Sequence, residues 1–380
     1  MKRKHFLLVG AGATAVPLTS GRIPGIAAPM PASGTSVTQL KPVERFMTSF
    51  ITKYKVPGGQ CAVAKGGRLV YARGFGYADS ERRTVVSPTA RFRIASSSKP
   101  ITAVAIMKLV EDGHLGLEEK AFAILSDLTP TGGATVDPRL REITVRQLLE
   151  HSGGFNSSAF DPQFDALRLA AAAVGHPPPA THTDIIRYMM GKPLAFDPGT
   201  KYAYSNFGYN ILGRIIEHRT QQSYGQYIAA HVLTPAGIRA GSMRLMTRTT
   251  LAARLPDEVY YFDGPLALPT WPIYPDVLES NTYSYGGFDG AAIDAHGGWI
   301  ANAIDLTRFL NAVGGSTGTQ LLKAQTVRTM LTRPNIPQYR NAKKYYALGW
   351  DVNPGTVMQH NGALTFGTLS SVTRVPNEIT

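Results

Sequence analysis

The length and composition of the chain allow a full hydrophobic core and exclude several classes of protein. Its 380 residues are 43% hydrophobic and 17% charged, which is typical of a globular protein and not of a disordered or fibrous one. The single Cys61 excludes a disulfide framework and any site built from several cysteines. The net charge of +13 comes from scattered basic residues without a long run, so nucleic-acid binding is not indicated.

The first 28 residues have the parts of a bacterial export signal. Basic residues at 2–4 precede an apolar run at 6–16, and the alanines at 27–28 suit cleavage. The run is too short and too rich in glycine to span a bilayer. We therefore predict an exported protein, periplasmic or secreted, with no stable membrane insertion once the signal is removed. A basic leader on a cytoplasmic protein is the alternative.

The next segments predict a linker, a helix and a β-hairpin. Residues 29–39 are rich in proline, serine and threonine, as linkers are. Apolar residues then recur at helical spacing over 43–54, which predicts an amphipathic first helix. Two strand-like segments at 61–64 and 69–72 flank a Lys-Gly-Gly-Arg turn, which is typical of a hairpin. Cys61 falls in the first of these strands, where core packing explains it.

Strands near both ends of the chain predict a sheet that the two ends build together. Strand-like segments return between residues 346 and 374, whereas residues 96–299 mix short helical patches with loops. We therefore predict an α+β fold. An antiparallel sheet from about 40–95 and 300–380 is flanked by helices and joined to a mainly helical part.

A serine and a lysine one helical turn apart form the first candidate catalytic pair. Ser96 and Lys99 stand at the start of an apolar helical stretch, and residues three apart share one face of a helix. A serine hydroxyl needs a nearby base to become a nucleophile, and a lysine amine can be that base. Ser97 and Ser98 have the wrong offset and point to other faces.

Two later segments carry further candidate groups. Tyr204 and Asn206 bring a phenol and an amide two residues apart, although a Pro-Gly turn that ends in a packed aromatic explains this segment better when it is taken alone. His360 ends a strand, and Gly362 after it lets the backbone approach a ligand closely. The backbone amide of Ala363 can then donate to an oxyanion. A structural histidine at a strand end is the alternative.

Residues 314–318 match the G-x-S-x-G pattern of α/β-hydrolases, with Ser316 at its centre. That pattern needs a strand before it and a helix after it. Here it follows a helix that Asn302 is predicted to cap, so a glycine-rich helix end explains it better.

Taken in order, the three candidate segments resemble the Ser-x-x-Lys, Tyr-x-Asn and His-x-Gly motifs of the serine β-lactamase and penicillin-binding-protein superfamily. The class C-like branch of esterases, D-aminopeptidases and D,D-carboxypeptidases is the most similar. Further segments resemble landmarks of that family: 74–79, 92–96, 143–154, 296–306 and 348–350. The resemblance implies a β-lactamase-like sandwich, with one domain over 40–380, and no metal or cofactor.

The resemblance also implies a role for each candidate residue. Ser96 is the acylated nucleophile, Lys99 its base, and Tyr204 the proton shuttle that activates the deacylating water. Asn206 binds a substrate carbonyl, and His360 helps to bind the substrate. The His-x-Gly strand contributes Gly362 and the amide of Ala363, which forms the oxyanion hole with the amide of Ser96.

Two departures from the family pattern bear on the substrate and on the fold. Asn361 replaces a threonine that often contacts a substrate carboxylate, and a histidine replaces the lysine before it. Both favour ester or neutral-amide substrates over penicillin-like ones. The sequence also ends soon after Pro376, where the family usually adds a strand and a C-terminal helix, so we expect these two elements to be missing.

The function predicted from the sequence is an exported serine hydrolase. It acts through an acyl-enzyme on a small-molecule or peptide ester or amide, as an esterase, D,D-carboxypeptidase or D-aminopeptidase does. Two alternatives remain on the same fold. One is a binding protein for wall peptides, and the other is an acyltransferase or peptide cyclase of natural-product biosynthesis. The oligomeric state is not predicted.

Overall fold

A computed structural model gives the fold for residues 30–79, 81, 83–264, 269–278, 282–315, 317–364 and 367–380. The predicted export signal at 1–28 lies outside the described residues, and so does Ser316. Residues from Pro31 to Thr380 form one structural unit. Cys61 lies on a strand, as predicted, and its side chain is half-buried.

The described residues contain three antiparallel sheets. Their orders are β1-β3-β2, β10-β9-β8-β7 and β4-β6-β5. The predicted linker at 29–39 contributes the short β1, which pairs with β3. The strands are β1 Ala32–Ser33, β2 Gly58–Lys65, β3 Arg68–Gly76, β4 Phe92–Arg93, β5 Arg244–Leu245, β6 Trp299–Ala301, β7 Tyr345–Tyr346, β8 Asp351–Asn353, β9 Thr356–Leu364 and β10 Thr368–Arg374.

The last residues of the chain join the first and the second of these sheets. The chain turns after β10, and Val375 forms a bridge with Ile379. The amide of Ala64 on β2 donates to the carbonyl of Thr380 at 2.9 Å, and the amide of Thr380 donates back at 3.0 Å. The expected sheet built from both ends of the chain is therefore confirmed.

Twelve α-helices lie among the described residues, and none of them is long and apolar enough to cross a membrane. They are α1 Lys41–Tyr54, α2 Lys99–Glu111, α3 Ala121–Ile124, α4 Val145–Leu149, α5 Pro162–Asp165, α6 Leu167–Val174, α7 His182–Met190, α8 Asn206–Thr220, α9 Tyr224–Ile228, α10 Asp294–Gly297, α11 Ala303–Gly314 and α12 Ala324–Met330.

Helices α1 and α11 pack on the sheet that contains β2, as the amphipathic pattern of α1 predicts for the first of them. Ile51 of α1 is buried against Gly59 of β2. The Asn302 side chain caps α11 by accepting from the amide of Asp305 at 2.9 Å. Since α11 ends at Gly314, the G-x-S-x-G segment begins at the end of a helix and not at a strand.

Helix α2 is the centre of the hydrophobic core. Almost every side chain from Lys99 to Leu109 is buried, which is typical of a helix that is apolar on all sides. Helix α8 packs beside α2, and β9 runs past the N-terminal end of α2. The N-terminal ends of α2 and α8 therefore meet β9 at one place, and this place holds the candidate site.

Candidate active site

Ser96 lies on a tight turn immediately before α2. Residues Ala95–Ser98 form a 3₁₀ turn, and Ala95 has a φ of 48°, a left-handed value that costs a non-glycine residue about 1–2 kcal/mol. Such strain is common where a side chain must be aimed at a ligand. Ser97 and Ser98 are buried, whereas Ser96 is half-buried. The serine chosen by its offset from Lys99 is therefore the one that faces the cleft.

The amine of Lys99 is buried and surrounded by three oxygen atoms. Its Nζ lies 3.0 Å from Ser96 Oγ, 2.7 Å from Asn206 Oδ1 and 3.0 Å from the carbonyl oxygen of His296. Burial lowers the pKa of Lys99 well below 10.5, although the charge of Asp161 opposes this shift. A neutral amine has two protons for the amide and the carbonyl, and a lone pair left for the serine hydroxyl.

Tyr204 approaches Ser96 from the other side. Its phenol donates to Ser96 Oγ at 2.7 Å, and its ring centroid lies 4.7 Å from Lys99 Nζ. Burial raises the pKa of Tyr204, so the phenol keeps its proton at neutral pH. Ser96 Oγ is thus held between a phenol that donates and an amine that can accept.

Asn206 is oriented by a carboxylate that the sequence motifs did not point to. Its Nδ2 donates to Asp161 Oδ2 at 2.6 Å, so its Oδ1 is turned towards Lys99. Burial raises the pKa of Asp161 to about 6, while the bond from Asn206 and the charge of Lys99 oppose this shift. In the sequence, the only local pattern that singles out Asp161 is its position directly before the proline that begins α5.

His360 lies on β9 as a buried neutral imidazole. Burial, and next the charge of Lys99, lower the pKa of His360 to about 3. Its Nδ1 lies 2.7 Å from the carbonyl oxygen of Asn361, so this nitrogen carries the proton. Its Nε2 must then accept from the hydroxyl of Tyr346 at 3.0 Å. The carbonyl of Asn361 thus fixes the tautomer, and Tyr346, which sequence analysis did not identify, helps to hold the ring in position.

Gly362 lets β9 run close to the turn that carries Ser96. A Cβ atom at this position would lie 2.2 Å from the carbonyl oxygen of Ile94 and 2.4 Å from Ser370 Oγ. The same strand places Ala363 at the cleft. Glycine is therefore needed here because of the close approach of two backbones.

Replacing Gly362 with alanine is expected to lower the free energy of unfolding by about 1–3 kcal/mol, because overpacking displaces β9. Urea unfolding measures this loss. Gly355→Ala in the adjoining turn is the control, since its nearest neighbour would lie at an ordinary 3.6 Å. Equal midpoints for the two variants would contradict the close approach.

His151 lies behind the site, among tyrosine rings. Its ring centroid is 4.4 Å from that of Tyr204 and 4.5 Å from that of Tyr346. Its Nδ1 accepts from the amide of Ser205 at 3.1 Å, and burial lowers the pKa of His151 well below its usual range. A neutral His151 thus supports the segment that carries the phenol.

The predicted site residues meet at one cleft of about 530 Å³. Lys99 and Asn206 lie beneath it, bonded to each other. No group of His, Cys, Asp or Glu among the described residues is arranged to hold a metal ion. The cleft is lined by Ser96, Tyr202, Tyr204, Tyr346, Asp351, His360, Asn361, Gly362, Ala363, Leu369 and Ser370.

A model of the Beta-lactamase family matches residues 43–376, which include every residue of this site. The chain belongs to the β-lactamase family. The resemblance carried by the motifs is thereby confirmed, together with the α+β fold that it implied.

Two curated relatives of this β-lactamase-family chain differ in how much of it they match. The protein flp of Staphylococcus aureus (strain MW2) is 32% identical over 49% of this chain and 34% of its own length. This chain therefore spans about a third of that relative. A putative D-alanyl-D-alanine carboxypeptidase of Escherichia coli O157:H7 is 26% identical over 89% of this chain and 77% of its own length.

Solved structures share the fold over most of the chain. An octameric penicillin-binding protein homologue from Pyrococcus abyssi has a TM-score of 0.67 at 25% identity, over 90% of this chain and 72% of its own. A D-stereospecific amidohydrolase from Streptomyces sp. has a TM-score of 0.60 at 23% identity, over 85% of this chain and 88% of its own. EstCE1, a hydrolase with promiscuous acyltransferase activity, has a TM-score of 0.64 at 21% identity, over 85% of this chain and 87% of its own.

Proposed function

We propose that this β-lactamase-family protein is an exported serine hydrolase that forms an acyl-enzyme on Ser96 with an ester or an amide. The arrangement around Ser96 Oγ carries the proposal. This oxygen lies 3.0 Å from the buried amine of Lys99 and 2.7 Å from the phenol of Tyr204, at the wall of a cleft. A nucleophile, a base and a donor in mutual hydrogen-bond reach are the arrangement that nucleophilic catalysis requires.

The acylation step follows from the protonation states of these groups. Neutral Lys99 accepts the hydroxyl proton while Ser96 Oγ forms a bond to the substrate carbonyl carbon. The backbone amides of Ser96 and Ala363 donate to the oxyanion that develops. The bond to the leaving group then breaks, and Tyr204 delivers a proton to that group and recovers one from Lys99.

Deacylation reverses the same proton transfers with water. Tyr204 passes its proton to neutral Lys99 as it takes one from a water molecule, whose oxygen bonds to the acyl carbon while the bond to Ser96 Oγ breaks. Lys99 then returns its extra proton to Ser96 Oγ, and the acid leaves. Asn206 was predicted to bind a substrate carbonyl, but its side chain is engaged by Lys99 and Asp161 outside the cleft lining, so it holds the base in position instead. The neutral His360 helps to shape the cleft beside the acyl group.

The substrate class is an ester or an amide without an essential carboxylate. Asn361 occupies the position of the family threonine that often contacts a substrate carboxylate. Neither lysine nor arginine is among the residues that line the cleft. The name of the curated relative, a putative D-alanyl-D-alanine carboxypeptidase, supports acyl chemistry on an amide in general but not the lack of a carboxylate.

Turnover and intact mass together test the proposal. An acyl p-nitrophenyl ester, nitrocefin and a D-Ala-D-Ala peptide are offered to the mature protein, and quenched samples are weighed by mass spectrometry. We expect one covalent acyl adduct and release of the free acid from at least one substrate. A wall-peptide binder gains no covalent mass, and an acyltransferase yields an amide or ester product when an amine or alcohol is added. Either result would contradict hydrolysis as the main activity.

Tyr204→Phe is expected to lower kcat by about 10²-fold, because it removes the donor of one proton transfer but leaves the nucleophile and base in place. Stopped-flow measurement of a p-nitrophenyl ester separates acylation from deacylation, and we expect both to slow. Tyr54→Phe on exposed α1 is the matched control. A Tyr204→Phe variant as fast as Tyr54→Phe in both steps would exclude the phenol from proton transfer.

A further inference from the structure

The cleft beside Ser96 contains a carboxylate that the proposed chemistry does not use. Asp351 is the first residue of β8 and lies directly opposite Tyr346 of β7 in the sheet. Its side chain is half-buried and lines the same cleft as Ser96. No hydrogen bond or ion pair to this carboxylate is found within the part of the chain that the structure describes.

The surroundings of Asp351 are aromatic and lack a bound counterion. Tyr202 and Tyr346 line the cleft with it, and their ring centroids lie 6.0 Å apart. Burial raises the pKa of the Asp351 carboxyl group. The positive charge of the exposed Lys344, which forms no ion pair with Asp351, opposes this rise. A half-buried carboxylate without a partner gains stability when a cation arrives.

An organic ammonium group suits this arrangement better than a metal ion. Hard metal ions require several oxygen ligands, and the cleft offers a single carboxylate. Ammonium and quaternary ammonium groups, in contrast, bind to the faces of aromatic rings and to a carboxylate at the same time. The cleft has both kinds of group at its wall, beside the nucleophile.

We propose that the cleft selects cationic substrates, and that Asp351 binds an ammonium group of the ester or amide against the rings of Tyr202 and Tyr346. This inference rests on the proposed acyl-enzyme function and adds a substrate class to it. The carboxylate pairs with the cation, and the rings replace the water that the cation loses. Anionic esters are repelled by the same carboxylate.

A pair of isosteric thioesters tests the kinetic consequence. Acetylthiocholine carries a quaternary ammonium, and S-(3,3-dimethylbutyl) thioacetate has the same shape without charge. Both deliver the same acetyl group, so the ratio of their kcat/KM values reports recognition of the cation. We expect a ratio above one in the wild type, reduced about tenfold in Asp351→Asn and largely restored in Asp351→Glu. Asp127→Asn, an exposed carboxylate outside the cleft, is the control.

Binding without turnover separates this inference from the proposed function. In the Ser96→Ala variant, calorimetry with phenyltrimethylammonium is expected to show binding that the added Asp351→Asn change weakens about tenfold. If neither thioester is hydrolysed, calorimetry alone decides the inference, while the proposed function is decided by its own three substrates. Equal binding by the two variants, no binding by either, or a thioester ratio that Asp351→Asn leaves unchanged would overturn it.

Discussion

Ser96→Ala is expected to lower kcat/KM for an activated ester by about 10⁴–10⁶-fold, because the covalent step has no other nucleophile in reach of Lys99. Ser97 Oγ is engaged with Ser370 Oγ at 2.8 Å, and Ser98 Oγ accepts from the amide of Trp299 at 3.3 Å. Neither neighbour can substitute for Ser96. The loss is measured by release of p-nitrophenol.

Ser371→Ala is the matched control for this variant. Ser371 is an exposed serine on β10, next to Ser370, and it is not part of the cleft lining. We expect wild-type turnover from it and an unchanged unfolding midpoint from both variants. Turnover that survives in Ser96→Ala, with the protein freed of contaminating esterases, would exclude Ser96 as the nucleophile.

Lys99→Met is expected to lower kcat/KM by about 10³-fold, since the chain loses the base that accepts the serine proton. Lys99→Arg separates this role from charge and length, because a guanidinium does not give up its proton at usable pH. We therefore expect Lys99→Arg to be as inactive as Lys99→Met. Lys108→Met, on the same helix but paired at the surface with Asp112, is the control. An active Lys99→Arg enzyme would rule out the amine as base.

The lowered pKa of Lys99 also has a consequence for stability. Between its folded pKa and its ordinary value of 10.5, the unfolded chain binds a proton that the folded chain does not. The free energy of unfolding of the wild type should therefore rise with pH across this window, relative to that of Lys99→Met, and level off above it. Urea unfolding between neutral pH and about pH 10 measures the difference. A difference that is flat with pH would show an amine that stays protonated in the fold.

Spacing along single elements was enough to predict the core of the candidate site. The offset of Ser96 from Lys99 selected one of three neighbouring serines, and it is the half-buried one in the structure. Two-residue spacing also grouped Tyr204 with Asn206 and His360 with Gly362. Such pairs depend only on local geometry, which the sequence pattern shows directly.

Groups that depend on contacts between distant elements were not predicted. Asp161 reaches Asn206 from a segment 45 positions away, and the oxygen that Lys99 contacts at His296 belongs to the backbone. Tyr346 and Asp351 became visible only when the register of β7 and β8 placed them side by side. Strand register depends on how the whole sheet is packed, and a single sequence does not show it.

The sequence predicted a sheet built from both ends of the chain, but it did not show which terminal segments pair. The segment predicted as a linker supplies β1, and Thr380 hydrogen-bonds to Ala64 of β2. Both contacts involve backbone groups of short segments with no apolar periodicity. Backbone groups need partners whatever their side chains are, so such pairings follow from the neighbouring strands and not from local sequence.

Peptide mapping after covalent trapping is the most direct measurement of the central proposal that Ser96 Oγ is the acylated atom. Trypsin cuts after Arg93 and Lys108 but not between Lys99 and Pro100, so a single peptide carries the three neighbouring serines. After treatment with a fluorophosphonate, we expect fragmentation of this peptide to place one adduct on Ser96. An adduct on another residue, or an unmodified peptide from an enzyme that the reagent has inactivated, would contradict the proposal.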